Sequence, residues 1–147
     1  RGIYFLPEVN DEVLVAFDQG LIIYPYILGA LWNGTDQPPI SNDDGQNNKR
    51  LIKSRSGHTI LLDDTASEEK IVIQDKTGKN EIILDAKTNT VTLSTSDQLV
   101  LKATGKISMA SSQGDLEISC NNFKLVTEQN CDIVAHSRCQ VKANASL

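Results

Sequence analysis

The side chains with the most chemistry to offer are few and scattered. His58 and His136 are the two histidines of the 147-residue chain, and neither has a Cys or carboxylate beside it at metal-ligand spacing. Cys120, Cys131 and Cys139 make an odd set without a CxxC step, which gives neither a disulfide framework nor a zinc site. They read as small buried hydrophobes. Asp63-Asp64 followed by Glu68-Glu69 lacks the alternating Asp/Asn and Gly of a calcium loop, so it reads as a solvated turn. Serines are numerous, but no GxSxG or comparable partner accompanies either histidine. Paired carboxylates for glycoside cleavage need a pocket, and the filled rod inferred below has none. No catalytic, cofactor-binding or metal-binding residue is assigned, and no enzymatic activity is expected.

Composition excludes further classes. The net charge is −5 and the 14 Lys and Arg are spread among 19 acids, so there is no basic stripe for nucleic acid. An acidic surface also gains nothing at an anionic membrane. The longest apolar run, Leu21–Trp32, contains Pro25 and is too short to span a bilayer as a helix. A chain that opens on Arg1 reads as a fragment. Aromatic residues are 5% of the chain and fall mostly before residue 35, so any core beyond that point is built almost without rings.

Three zones divide the elements. In residues 1–34, "DEVLVAF" (11–17) alternates as a strand and Gly20 closes a turn. A second strand candidate, "PYILGALWNG" (25–34), ends on the turn dipeptide Asn33-Gly34. Residues 35–50, "TDQPPISNDDGQNNKR", have linker or long-loop composition. From Leu51 onward, short strands follow one another without a helical apolar period. Their inward sets are Ile60 and Leu62; Ile71 and Ile73; Ile82, Leu84 and Ala86; Val91, Leu93 and Thr95. Then come Leu99, Leu101 and Ala103; Ile107, Met109 and Ser111; Leu116, Ile118 and Cys120. The last are Phe123, Leu125 and Thr127; Cys131, Ile133 and Ala135; Cys139, Val141 and Ala143.

The first members from Leu99 on are spaced 8, 9, 7, 8 and 8. A strict octad would turn Asp115 and Glu117 inward, so one residue is gained before Leu116 and one lost after Cys120. Charges fall at outward positions (Lys102, Glu117, Lys124, Asp132, Lys142) and never in the inward sets. A five-residue strand with one apolar face is not stable alone, and such faces must stack. One chain coiled into a solenoid, or three chains wound into a triangular prism, would do this. The homotrimeric prism is favoured. A solenoid usually needs capped ends and often Gly or Asn ladders at its corners, and neither is obvious. The third inward position is small (Ala103, Ser111, Cys120, Thr127, Ala135, Ala143), as a narrowing corner requires. The expected trimer core is Ile60, Leu62, Ile71, Ile73, Ile82, Leu84, Val91, Leu93, Leu99, Leu101, Ile107, Met109, Leu116, Ile118, Phe123, Leu125, Cys131, Ile133, Cys139 and Val141.

Three stretches resemble the VgrG-like and tailed-phage central spike proteins of contractile injection systems, such as the type VI secretion system. "GIYFLPEVNDEVLVAFDQG" with "YPYILGALWNG" is similar to the second half of that family's OB-fold domain. "NNKRLIKSRSGHTILLDDT" resembles its lead-in to the spike, and the repeats resemble its intertwined triple-stranded β-helix. The resemblance implies an all-β chain in three parts. Residues 1–34 would be the C-terminal part of an OB-fold domain, 35–56 a linker and lead-in, and 57–147 the needle. Five strands make an OB barrel, and about half fit in residues 1–34. No His-x-His stands near the C-terminus, so an iron-binding apex like that of some phage spikes is not implied.

The implied function is a structural, cell-puncturing baseplate spike. It would be assembled in the bacterial cytoplasm and exported within an injection particle or virion tail. The implied partners are a PAAR-repeat-like tip protein at the C-terminal end, baseplate and inner-tube proteins at the N-terminal end and, transiently, the target envelope. The competing reading is a single-chain β-solenoid adhesin or carbohydrate-binding stalk. It would show an outward ladder of aromatic or polar residues, which is absent from the outward list.

Overall fold

The computed structural model describes residues 1–2 and 4–142 and is all-β, with a single short 3-10 turn. The inward position Ala143 lies outside the described residues. The chain divides into two units, 1–101 and 102–147.

In the first unit, β1 (Val13–Phe17) pairs antiparallel with β2 (Pro25–Ala30), from Val13 opposite Ala30 to Phe17 opposite Pro25. A bulge between Leu14 and Val15 shifts the register. The reversal passes through Asp18–Gly20, where Gln19 and Gly20 take φ of 48° and 76°. These are left-handed values that glycine accepts without a Cβ clash. The Asn33-Gly34 turn is also formed. Asn33 Oδ1 accepts the Thr35 and Asp36 amides at 2.8 and 2.7 Å, and its Nδ2 donates to Glu12 at 3.1 Å. Among the described residues β1 and β2 pair only with each other.

Five further strands form one antiparallel meander: β3 (Lys49–Lys53), β4 (Thr59–Asp63), β5 (Lys70–Gln74), β6 (Glu81–Asp85) and β7 (Thr90–Ser94). β3 falls in the stretch read from sequence as linker and lead-in. Each of the four reversals contains one residue at positive φ: Gly57 (101°), Ser67 (64°), Gly78 (68°) and Asn89 (53°). An ion pair between Arg55 and Glu8, 3.0 Å, connects the first reversal to the segment before β1.

Beyond Ser94 the described residues contain no strand, although sequence alternation continues. The physical reason is pairing. A strand needs a neighbour for its backbone N–H and C=O groups, and the expected octads find none within one chain. In the second unit the only side-chain hydrogen bond among the described residues runs from the Gly114 amide to Ser111 Oγ at 3.1 Å.

No apolar side chain among the described residues is buried. The one buried residue is Asp63, at 7% exposure. This corrects the reading of Asp63-Asp64 as a wholly solvated turn. Asp63 ends β4 on a covered face, while Asp64 turns out to pair with Arg50.

Candidate functional site

The meander registers bring the predicted inward residues into two rows across one sheet face. Ile60 stands opposite Ile73, Ile73 opposite Ile82, and Ile82 opposite Leu93. Ile52, opposite Ile60, extends this row onto β3. The second row runs Leu62, Ile71, Leu84 and Val91, and ends at Arg50. The reason is the two-residue period of the strand: i and i+2 share a face, and each hairpin here keeps that parity. Cross-strand β-branched pairs of this kind stabilise a sheet. The eight predicted residues on these strands remain 37–71% exposed. Two shallow grooves cross the face, one over Leu62, Ile71, Leu84 and Val91, the other over Ile73, Ile82 and Leu93.

The opposite face differs. Its middle row is Leu51, Leu61, Val72, Ile83 and Thr92, flanked on both sides by polar residues. One flank alternates in charge: Lys49, Asp63, Lys70 and Asp85 stand side by side across four strands. Lys49 Nζ lies 3.9 Å from Asp63 Oδ2. On the other flank, Gln74 Nε2 donates to Glu81 at 3.1 Å. Leu51, Leu61, Val72 and Ile83 are half-buried between these polar flanks, while the eight predicted residues of the other face stay open. The sequence reading missed this second row. The signal was the three consecutive apolar residues at the centres of β4, β5 and β6, where strict alternation would show two.

Three aspartates clasp the reversals. Asp63 Oδ1 accepts the Thr65 hydroxyl and amide at 2.5 and 3.1 Å. Asp75 Oδ1 accepts the Thr77 hydroxyl and amide at 2.7 and 3.0 Å, and its Oδ2 accepts Asn80 Nδ2 at 2.7 Å. Asp85 Oδ1 accepts the Thr88 amide at 2.9 Å. These bonds stabilise the ionised carboxylates. All three therefore titrate below the ordinary carboxylate range, led by the Thr65 hydroxyl for Asp63, the Thr77 hydroxyl for Asp75 and the Thr88 amide for Asp85. An Asp followed two or three residues later by Thr is a turn signal that composition alone does not reveal.

The remaining singled-out residues are placed as follows. His58 Nδ1 accepts the Lys76 amide at 3.2 Å, which ties two reversals at one end of the sheet. Leu99 and Leu101, in the first unit, are exposed. In the second unit Ile107, Met109, Leu116, Ile118, Phe123, Leu125, Ile133 and Val141 are exposed, and Cys120, Cys131 and Cys139 are free and exposed. The fold of one chain thus gathers the predicted positions on β4–β7, places Leu99 in the groove lined by Ile73, Ile82 and Leu93, and leaves those from Leu101 onward ungathered. Among the described residues no three His, Cys, Asp or Glu side chains come together as a metal site, and no helix is long and apolar enough to cross a membrane.

What the open face can do is associate. It offers an apolar surface with regular two-residue spacing, its two grooves rimmed by polar side chains such as Asp64, Glu69 and Lys70 in one and His58, Asp75 and Glu81 in the other. No curated protein matches the chain. Residues 1–32, which carry the β1–β2 hairpin, match the family model described as the type VI secretion system/phage-baseplate injector OB domain. That match is with a structural domain, and it points to a structural, baseplate-related role in a secreted injection system.

Proposed function

We propose that the chain is the spike-bearing part of a contractile injection apparatus, acting as a homotrimer that punctures a target envelope. One observation carries this reading: the residues chosen from sequence as inward-facing form an unbroken apolar face on β4–β7, and one chain leaves that face uncovered. Three copies turning these faces to a common axis would bury them. Each fully buried Leu or Ile contributes about 1.5–3 kcal/mol, and threefold symmetry counts it three times. The match over residues 1–32 supports attachment of that end to a baseplate. In this reading a PAAR-repeat-like tip protein caps the far end, and inner-tube proteins adjoin the near end. The work is mechanical, and no residue of this chain performs catalysis. Light scattering of the purified chain tests the reading: the expected mass is three times 16.1 kDa, and a clean 16.1 kDa species would overturn it.

A further inference from the structure

Asn33-Gly34 is the one place in the chain where an asparagine precedes a glycine. Glycine leaves its own backbone nitrogen least obstructed, and Gly34 has open space where a Cβ would sit. Among the described residues the Gly34 amide donates no hydrogen bond, so its nitrogen is not engaged elsewhere.

The surrounding groups converge on the atoms through which an asparagine side chain loses ammonia. Asn33 Oδ1 accepts the Thr35 and Asp36 amides at 2.8 and 2.7 Å. Two backbone N–H groups on one carbonyl oxygen draw electrons from Cγ and stabilise negative charge developing on that oxygen, as an oxyanion hole does. Asn33 Nδ2 donates to Glu12 Oε2 at 3.1 Å, which puts a carboxylate at the nitrogen that would leave. Gln37 Nε2 donates to the Asn33 backbone carbonyl at 2.9 Å, and so makes the N–H of the Asn33–Gly34 peptide more acidic.

We propose that Asn33 is a self-modifying site, deamidated by attack of the Gly34 nitrogen on its Cγ, with Glu12 carrying the proton and the Thr35 and Asp36 amides holding the oxyanion. A bond forms between Gly34 N and Asn33 Cγ. Glu12 takes the Gly34 proton and delivers it to Nδ2, which leaves as ammonia when the Cγ–Nδ2 bond breaks. Water, the one co-reactant, then opens the resulting succinimide at either carbonyl and leaves aspartate or isoaspartate in place of the asparagine. No oxidant or reductant takes part. The product sets a carboxylate against Glu12 where a hydrogen bond had been. The Leu31 amide donates to the Glu12 carbonyl at 2.8 Å in the same corner, so the repulsion falls where the end of β2 meets the start of β1.

The full chain is incubated at neutral pH, native and in guanidinium chloride, at one temperature. Mass spectrometry of the peptide containing Asn33 follows loss of ammonia and gain of water, and isoaspartyl methyltransferase labelling marks isoaspartate. The native chain is expected to react at least about tenfold faster than the denatured chain, in which only the Asn-Gly order remains. A native rate equal to or below the denatured one would overturn the proposal and show that the turn protects Asn33. Glu12→Gln keeps an oxygen for Nδ2 to donate to but cannot carry the proton. It is expected to slow the native reaction at least about tenfold and to leave the denatured rate unchanged. An unchanged native rate, with the Trp32 fluorescence of the unsubstituted chain, would overturn the assignment to Glu12.

Discussion

Ile73 and Ile82 stand directly opposite one another on β5 and β6, and each keeps about two-fifths of its surface open, 43% and 37%. A cross-strand pair at the middle of a five-stranded sheet is where a self-sufficient domain would place its core. Here it faces outward, and that decides most of what can be tested.

Replacing Ile82 by Asp is expected to abolish the trimer. A carboxylate in a dry axis costs roughly 3 kcal/mol or more per subunit, and symmetry brings three together. Thr92→Asp, at an exposed position on the opposite face, is expected to keep the trimeric mass. Sedimentation of the two variants checks this, and equal behaviour would reject the face assignment.

The octads allow the same comparison over adjacent residues. Leu101→Asp is expected to dissociate or strongly destabilise the assembly, whereas Lys102→Asp is expected to shift its melting temperature little. Similar melting curves would show that the inward register from Leu99 is misplaced.

Acid should loosen the reversals in a definite window. Asp63, Asp75 and Asp85 titrate below the ordinary carboxylate range in the folded chain, so the unfolded state takes up protons first as pH falls. Their contribution is fully present above the unfolded value and is lost as pH drops through the depressed folded values. Denaturant midpoints should therefore be flat with respect to these groups above about pH 5 and decline below about pH 4. Asp75→Ala should lower the neutral-pH midpoint and flatten that decline. An unchanged slope would remove Asp75 from the account.

Gly78 has φ of 68° with open space where a Cβ would sit. Gly78→Ala is therefore expected to cost only the left-handed backbone penalty, about 1 kcal/mol, measured by denaturant unfolding. A cost several times larger would mean that the β5–β6 reversal packs against something in the assembly.

The thiols report on the octads. Cys131 and Cys139 are exposed in one chain but inward in the proposed prism. Alkylation in the native assembly is expected to be at least about tenfold slower than in denaturant, since burial shields a thiol from reagent. Equal rates would place both cysteines on the outside.

Much of the fold was legible because strand parity is a local property. Val13, Val15 and Phe17 announced β1, and the pairs Ile60/Leu62, Ile71/Ile73, Ile82/Leu84 and Val91/Leu93 each fell on one strand and one face. What escaped was set by contacts across the sheet. The covered position of Asp63 depends on Lys49 and Thr65 beside it, and the middle row through Leu61, Val72 and Ile83 emerges only once register is known. For the segment from Leu99 to Val141, alternation specifies which side chains would share a face, but the described residues contain no strand there.

By itself the amino-acid order determined the alternation and the segregation of charge from the inward sets, because these follow from backbone geometry and side-chain polarity residue by residue. Only the tertiary structure decided that five strands pair in one meander, that the predicted residues of four of them merge into one apolar face, and that no apolar side chain among the described residues is buried. Pairing and burial depend on which distant segments meet, and within one chain the segments that meet leave that face open.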